Sequence, residues 1–210
     1  MATLTNKELV QLFINIVHQY SPDVFLEIGC LEGSTSKIIK NSLPDCEVYA
    51  YEADPINFIT YNYNLKEAGI NHIWAAISDE TKETIFYVQN PRKDVLIWGN
   101  NSLKTKPNPY NKYIEFPIKS YTLDFLHKQG KTYCMWIDAE GLAYQVLKGA
   151  KAVLTCTKYI LVEVESEELW ENQIIDTKVI DFLAKKGFEL LAKDQEYPSQ
   201  YNILFQNRYI

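Results

Sequence analysis

The sequence predicts an α/β fold, a mostly parallel sheet with helices on both faces. Short apolar runs recur along the chain, segments of helical spacing about 10–15 residues long separate most of them, and no repeat, low-complexity tract or Gly/Ser linker breaks the order. Such alternation implies right-handed βαβ crossovers. A length of 210 residues suits one core, so residues 1–210 are expected to form a single domain.

Thr5 and Glu8 make a capping-box pattern that Leu9, Leu12, Phe13, Ile16 and Val17 continue at helical spacing, so residues 1–22 hold an N-terminal helix. Asp23–Ile28, stopped by Gly29, is a buried strand; Ser34–Asn41 is helical and Glu47–Tyr51 is a second strand. Pro55 opens a helix that stops near Ala68 and Gly69, and His72–Ile77 is a third strand. Thr84–Val88 reads as another strand. Residues 90–112 then carry three of the eight prolines and most of the turn chemistry. An irregular tract of that length is usually functional, so 90–120 is expected to be an insertion beside the acceptor site, or else a partner-docking loop. Alternation resumes at Tyr113–Ser120. A short helix at Leu123–His127, a strand at Tyr133–Ile137 and a helix from Gly141 to Leu154 follow. Tyr159–Val164 is the next strand, Val179–Lys186 a helix, and Phe188–Leu191 with Asn202–Phe205 a closing strand pair.

The charge excludes some functions. Against 21 Lys+Arg stand 27 Asp+Glu, a formal net charge of −6, the wrong sign for displacing phosphate counterions. Nucleic acid and anionic membrane surfaces are therefore not expected as partners. No apolar run reaches the roughly 18 residues of a membrane span, and the N-terminus pairs no basic leader with an apolar block. Cys30, Cys46, Cys134 and Cys156 show no metal-ligand spacing and lie in or beside apolar segments, as buried reduced thiols do. A cytoplasmic location follows.

In open parallel sheets ligands bind beyond the carboxyl ends of the strands. After the first strand stands Glu27-Ile28-Gly29-Cys30-Leu31-Glu32-Gly33-Ser34-Thr35, whose glycines let backbone approach a ligand and whose helix start offers free N–H groups. Nineteen residues past Gly33, at the end of the second strand, Glu52 is placed to accept both hydroxyls of a ribose. A pyrophosphate cofactor wants the denser GxGxxG turn, and the Glu32 carboxylate would repel it. The amino-acid end of S-adenosylmethionine meets no such conflict. Tyr144-x-x-x-Lys148 resembles the catalytic pair of short-chain dehydrogenases, but with 15 tyrosines in the chain such a spacing arises by chance.

Taken together, these segments resemble the FkbM family of S-adenosylmethionine-dependent methyltransferases. The resemblance rests on FLEIGCLEGST (Phe25–Thr35), YEADPINF (Tyr51–Phe58), Asn62 and Asn64, AAISDETKETIFYV (Ala75–Val88), NNSL (Asn100–Leu103), Thr122-Leu123-Asp124, WIDAEGLAYQVLKGAKAVL (Trp136–Leu154) and ILVEVES (Ile160–Ser166). It implies a Rossmann-like class I methyltransferase fold with seven strands, S-adenosylmethionine as cofactor, and a hydroxyl of a sugar, glycan or glycosylated small molecule as acceptor. By position, Gly29, Cys30, Gly33 and Thr35 would hold the methionine end, with Glu27 beside them. Glu52 would take the ribose, Ala76, Ile77 and Ser78 would line the adenine, and Asp138 would sit near the sulfonium. Two positions depart from the family: Ala53 follows Glu52 where proline is frequent, and Ala143 stands where a second glutamate is common.

A sugar hydroxyl is protonated at neutral pH, so a general base or a Lewis-acid metal is expected to help. Asp138, Glu140, Glu163 and Glu165 follow the fourth and fifth main strands. Asp138 is read as the base or its orienter, Glu140 and Glu163 as its partners, and Glu165 as an acceptor contact. Asp138 and Glu140 could instead cap the helix that follows. Clustered oxygens also suit Mg²⁺ or Mn²⁺. Trp98, with Asn101 and Ser102, can stack on and hydrogen-bond a sugar, while Trp98 could instead anchor its loop. His18, His72 and His127 are dispersed and read as structural. Two alternatives stand: an NAD-dependent dehydrogenase, and a catalytically idle cofactor-binding or interaction domain.

Overall fold

The computed structural model describes residues 3–89, 99–108, 110–195 and 197–210. The chain runs β1 (Thr3–Leu4), α1 (Asn6–Tyr20), β2 (Val24–Ile28), α2 (Ser34–Ser42), β3 (Glu47–Glu52), α3 (Pro55–Glu67), β4 (Asn71–Trp74), β5 (Ala76–Ile77), β6 (Lys82–Gln89), β7 (Tyr113–Tyr121), α4 (Leu123–Leu126), β8 (Tyr133–Ile137), α5 (Ala143–Lys148), α6 (Lys151–Leu154), β9 (Thr157–Glu165), α7 (Asp176–Lys185), β10 (Phe188–Asp194) and β11 (Gln200–Asn207). The main sheet has the order β1-β10-β11-β9-β8-β2-β3-β4. Seven of its strands are those expected, and the two-residue β1 adds an edge beside β10. The strands β2, β3, β4, β8 and β9 are mutually parallel, whereas β11 runs antiparallel to both β9 and β10.

Alternation along the buried strands sends side chains to two cores. Val24, Leu26 and Ile28 of β2 join Val146, Leu147, Val179 and Leu183 on one face, and Phe25 joins Leu9, Phe13, Ile39 and Leu65 on the other. The capping box of α1 is present: Glu8 N donates to Thr5 Oγ1 at 3.3 Å, and Thr5 N donates to Glu8 Oε2 at 2.8 Å. Asp124, from the Thr-Leu-Asp motif, accepts from Ala152 N and Val153 N and thereby caps α6.

Two expectations are corrected. The run His72–Ile77 is two strands in two sheets. β4 pairs with β3 only as far as Trp74 opposite Glu52, where β3 ends, so Ala76 and Ile77 turn away to pair with Ser120 and Tyr121 of β7. The helix expected over 141–154 is broken between α5 and α6 at Gly149, where a Cβ would lie 2.2 Å from the Ser78 carbonyl oxygen. Tyr113–Tyr121 is β7, as the alternation over 113–120 predicts, and runs antiparallel to β6 in a second sheet of order β5-β7-β6. Among the described residues no helix is long and apolar enough to cross a membrane.

Register positions the site. Ile28 is flanked by Tyr51 on β3 and Ile137 on β8, and Ile137 by Val162 on β9. The next residue on each strand, Gly29, Glu52, Asp138 and Glu163, therefore emerges at one sheet edge.

Candidate active site

A cavity of about 610 Å³ opens at that edge, a size typical of small-molecule sites, roughly 300–1,000 Å³. Its floor begins at the turn after β2. Gly29 has φ +81°, and a Cβ there would lie 1.9 Å from the Asp138 carbonyl oxygen, so only glycine lets β2 and β8 end together. Leu31, also at positive φ, donates its N–H to Glu52 Oε2 at 2.8 Å, and Asp54 N donates to Glu52 Oε1 at 2.8 Å. Glu52 is buried, and burial pushes its carboxyl up to about 7. Backbone N–H groups thus orient both oxygens, whose further lone pairs suit a diol.

Only part of the glycine turn faces the cavity. Gly29 and Leu31 line it, while Glu27, Cys30, Gly33 and Thr35 do not. Strand alternation directs Glu27 toward α2, where its carboxylate accepts from Ser36 N at 3.0 Å and from Ser36 Oγ. Burial raises Glu27 to about 7. Cys30 packs in the core beneath α1 and α2, Thr35 is buried, and Gly33, at φ +64°, makes room for Leu65. These four residues shape the turn that carries Gly29 and Leu31. Similarly, Ala76 lines the cavity, but Ile77 points into the core and Ser78 is buried under Gly149.

The roof is the segment 99–103. Asp54 caps α3 through Oδ1, accepting from Ile56 N at 2.7 Å and Asn57 N at 3.2 Å, and accepts from Asn101 Nδ2 through Oδ2 at 2.7 Å. Asn101 Oδ1 accepts from Gln89 N at 2.9 Å, and Ser102 Oγ donates to the Glu140 carbonyl oxygen at 2.6 Å. Asn101 and Ser102 line the cavity, but these bonds strap the segment from the β3 wall to the β8 wall. Trp98 lies outside the described residues.

At the far wall Asp138, Glu140 and Glu163 line the cavity, and Glu165 sits buried behind them. One oxygen each of Glu140, Glu163 and Glu165 lies within 4.8 Å of the others, a donor set that fits a divalent cation. Burial and then the neighbouring acids lift Glu140 to about 8 and Glu163 well above the usual carboxylate range, and burial lifts Glu165 to about 7. Gln200 Nε2 donates to Glu163 Oε1 at 2.8 Å. The helix α5 starts from Leu142, which makes no side-chain cap bond. Ala143 faces the core rather than the cavity.

The remaining sequence candidates lie elsewhere. His127 Nε2 meets the Tyr51 hydroxyl at 2.6 Å, His72 packs on Phe58, and burial lowers both imidazoles to about 4. Lys148 pairs with Asp79 at 2.8 Å and Tyr144 packs on Phe182, so the dehydrogenase-like pair is outside the cavity lining. Sequence reasoning missed Asp54, Asn57, Tyr197 and Gln200 in the wall. The Asp54-Pro55 helix-start signal could have found the first; nothing local marks Tyr197 or Gln200.

Solved structures that share this fold are Rossmann-like class I methyltransferases. Methyltransferase FkbM from Methylobacillus flagellatus KT superposes with a TM-score of 0.57 at 13% identity, over 87% of this chain and 44% of its own. The N-terminal domain of EvdMO1, determined in the presence of SAH and D-fucose, gives 0.52 at 12% identity, over 96% of this chain and 82% of that one. At such identities the likeness is one of fold, and this chain spans less than half the length of the Methylobacillus protein. The sequence goes further: the chain belongs to the FkbM methyltransferase family, whose domain profile matches residues 23–190. The 2-O-methyltransferase NoeI of Sinorhizobium fredii is 28% identical over 184 residues, covering 82% of this chain and 75% of NoeI.

Proposed function

We propose that the chain transfers a methyl group from S-adenosylmethionine to a hydroxyl of a sugar, glycan or glycosylated small molecule, in the cytoplasm. The observation that carries this reading is the sign of the cavity. Its described wall holds five carboxylates, Glu52, Asp54, Asp138, Glu140 and Glu163, and no Lys, Arg or His. Such a wall suits a sulfonium cofactor and a neutral polyhydroxyl acceptor, and its described residues offer no cation to a phosphorylated one. The name of NoeI, a 2-O-methyltransferase, supports oxygen as the acceptor atom.

When bound, S-adenosylmethionine supplies an electrophilic methyl carbon on positively charged sulfur. Glu52 would hold the ribose, and the Gly29–Leu31 backbone would hold the methionine end. Asp138 would accept the proton of the attacking hydroxyl. Glu163, oriented by Gln200, and Glu140 accept neighbouring hydroxyls and align the attacking oxygen, a proximity effect. Glu140, Glu163 and Glu165 would be the ligands of a divalent ion.

A labelled-methyl screen over sugars and oligosaccharides, D-fucose included, with and without EDTA, tests the reading. Transfer to a sugar hydroxyl is expected. Binding of S-adenosylhomocysteine without transfer to any acceptor would instead favour an idle domain, and activity unchanged by EDTA would remove the metal.

A further inference from the structure

The cavity wall contains three described aromatic side chains, and they differ in what they present. Tyr51 is 1% exposed with its hydroxyl on His127, and Phe86 is 5% exposed within the small-sheet core. Tyr197 lines the same cavity but is 56% exposed. Single exposed tyrosines are common and mean little alone. This one is different because it stands at the acid end of a cavity and its backbone is fixed there.

The fixing comes from the turn between β10 and β11. Tyr197 N donates to the Gln200 carbonyl oxygen at 3.1 Å, and Gln195 Nε2 donates to the Tyr197 carbonyl oxygen at 2.9 Å. Ser166 N donates to the Ser199 carbonyl oxygen at 2.9 Å, tying the turn to the end of β9. Three residues after Tyr197, Gln200 places its amide on Glu163. One short segment thus supplies an aromatic ring and orients a carboxylate of the far wall.

A pyranose or furanose ring has an apolar C–H face and a rim of hydroxyls. Its C–H bonds, slightly positive, are attracted to the negative face of an aromatic ring, while its hydroxyls need acceptors. The wall around Tyr197 offers both. We propose that Tyr197 is the stacking platform for the acceptor sugar and a determinant of acceptor specificity, with Asp138 and Glu163 taking hydroxyls at the rim. This inference rests on the carbohydrate reading above and assigns the acceptor subsite within it.

The test uses the full chain and a sugar acceptor found with the wild-type protein. Tyr197→Ala and Tyr197→Leu, which both remove the π face, are expected to raise the acceptor KM about tenfold. Tyr197→Phe and Tyr197→Trp, which keep the face, should stay within about threefold of wild type. Affinity for S-adenosylhomocysteine, measured by calorimetry, should not change in any of the four. Tyr197→Leu retains apolar bulk, so it reports even where the alanine variant folds poorly. Unchanged acceptor KM in the Ala and Leu variants would overturn the inference. So would a Phe variant as impaired as Ala, which would assign the role to the hydroxyl, or an equal loss of cofactor affinity. A wild-type protein that methylates no sugar overturns the carbohydrate reading and this inference together, whereas sugar transfer unaffected by Tyr197→Ala overturns this inference alone.

Discussion

Asp138 is held by its backbone at the end of β8, and its carboxyl is hydrogen-bonded to that of Glu163. Its N–H donates to the Ile28 carbonyl oxygen at 2.9 Å, and its own carbonyl oxygen packs where a Cβ on Gly29 would be. Asp138→Asn keeps both backbone contacts and the side-chain volume while removing the proton acceptor. Turnover is therefore expected to fall about 10²-fold or more with S-adenosylhomocysteine affinity unchanged, and unimpaired turnover would dismiss Asp138 as the base. Gly29, Glu52, Asp138 and Glu163 were legible in the sequence because each directly follows an apolar run, and register then sets them in one row. Glu27, Cys30 and Thr35 stand at the same turn. Proximity to a glycine turn does not say which face a side chain takes, and these three turn inward. Tyr197 and Gln200 were invisible because a hairpin from the far end of the chain delivers them, and only tertiary structure records that.

The strands and helices of the parallel core were legible where periodicity ran unbroken, and the two misjudged elements fail for tertiary reasons. His72–Ile77 is a continuous apolar run, but its hydrogen-bond partner changes from Glu52 on β3 to Ser120 on β7 within two residues. Gly149 sits in a stretch of good helical spacing, where an isolated glycine is tolerated. What breaks the helix is the close approach of the Ser78 carbonyl, contributed by the segment just after β5. Gly149→Ala would place a Cβ 2.2 Å from that oxygen and 3.1 Å from the Ser78 carbonyl carbon, so backbone must move. Stability should fall by about 1–3 kcal/mol, read as a lower urea midpoint with an unchanged slope. Because β5 carries Ala76 in the cavity wall, S-adenosylhomocysteine binding should weaken as well. An unchanged midpoint would show that the two segments separate without cost.

Over the whole molecule, the net charge of −6 is partly concentrated in buried acids. Burial raises Glu27, Glu52 and Glu165 from 4.5 to about 7 and Glu140 to about 8, and it raises Glu163 too, with neighbouring acids adding to the shifts. The folded chain therefore binds more protons than the unfolded chain above pH 4.5, and stability rises as pH falls from 8 through 7 toward 4.5. His72 and His127 act oppositely. Burial lowers them from 6.5 to about 4, so the unfolded chain takes up their protons first and stability is lost as pH falls from 6.5 to 4. Between pH 8 and 6.5 the glutamates act alone; below that the histidines offset part of the gain. The thermal midpoint should accordingly be higher at pH 6 than at pH 8.5 and should flatten on further acidification. Because burial and neighbouring acids raise Glu163, Glu163→Gln should gain in midpoint relative to the wild type as pH rises. Measured in EDTA, so that no bound cation compensates, the midpoint of the variant minus that of the wild type should be larger at pH 8.5 than at pH 5. A midpoint that falls by the same amount at both values would mean that Glu163 is held by its bond to Gln200 rather than strained by its neighbours, and the acid wall would then be a stabilising network.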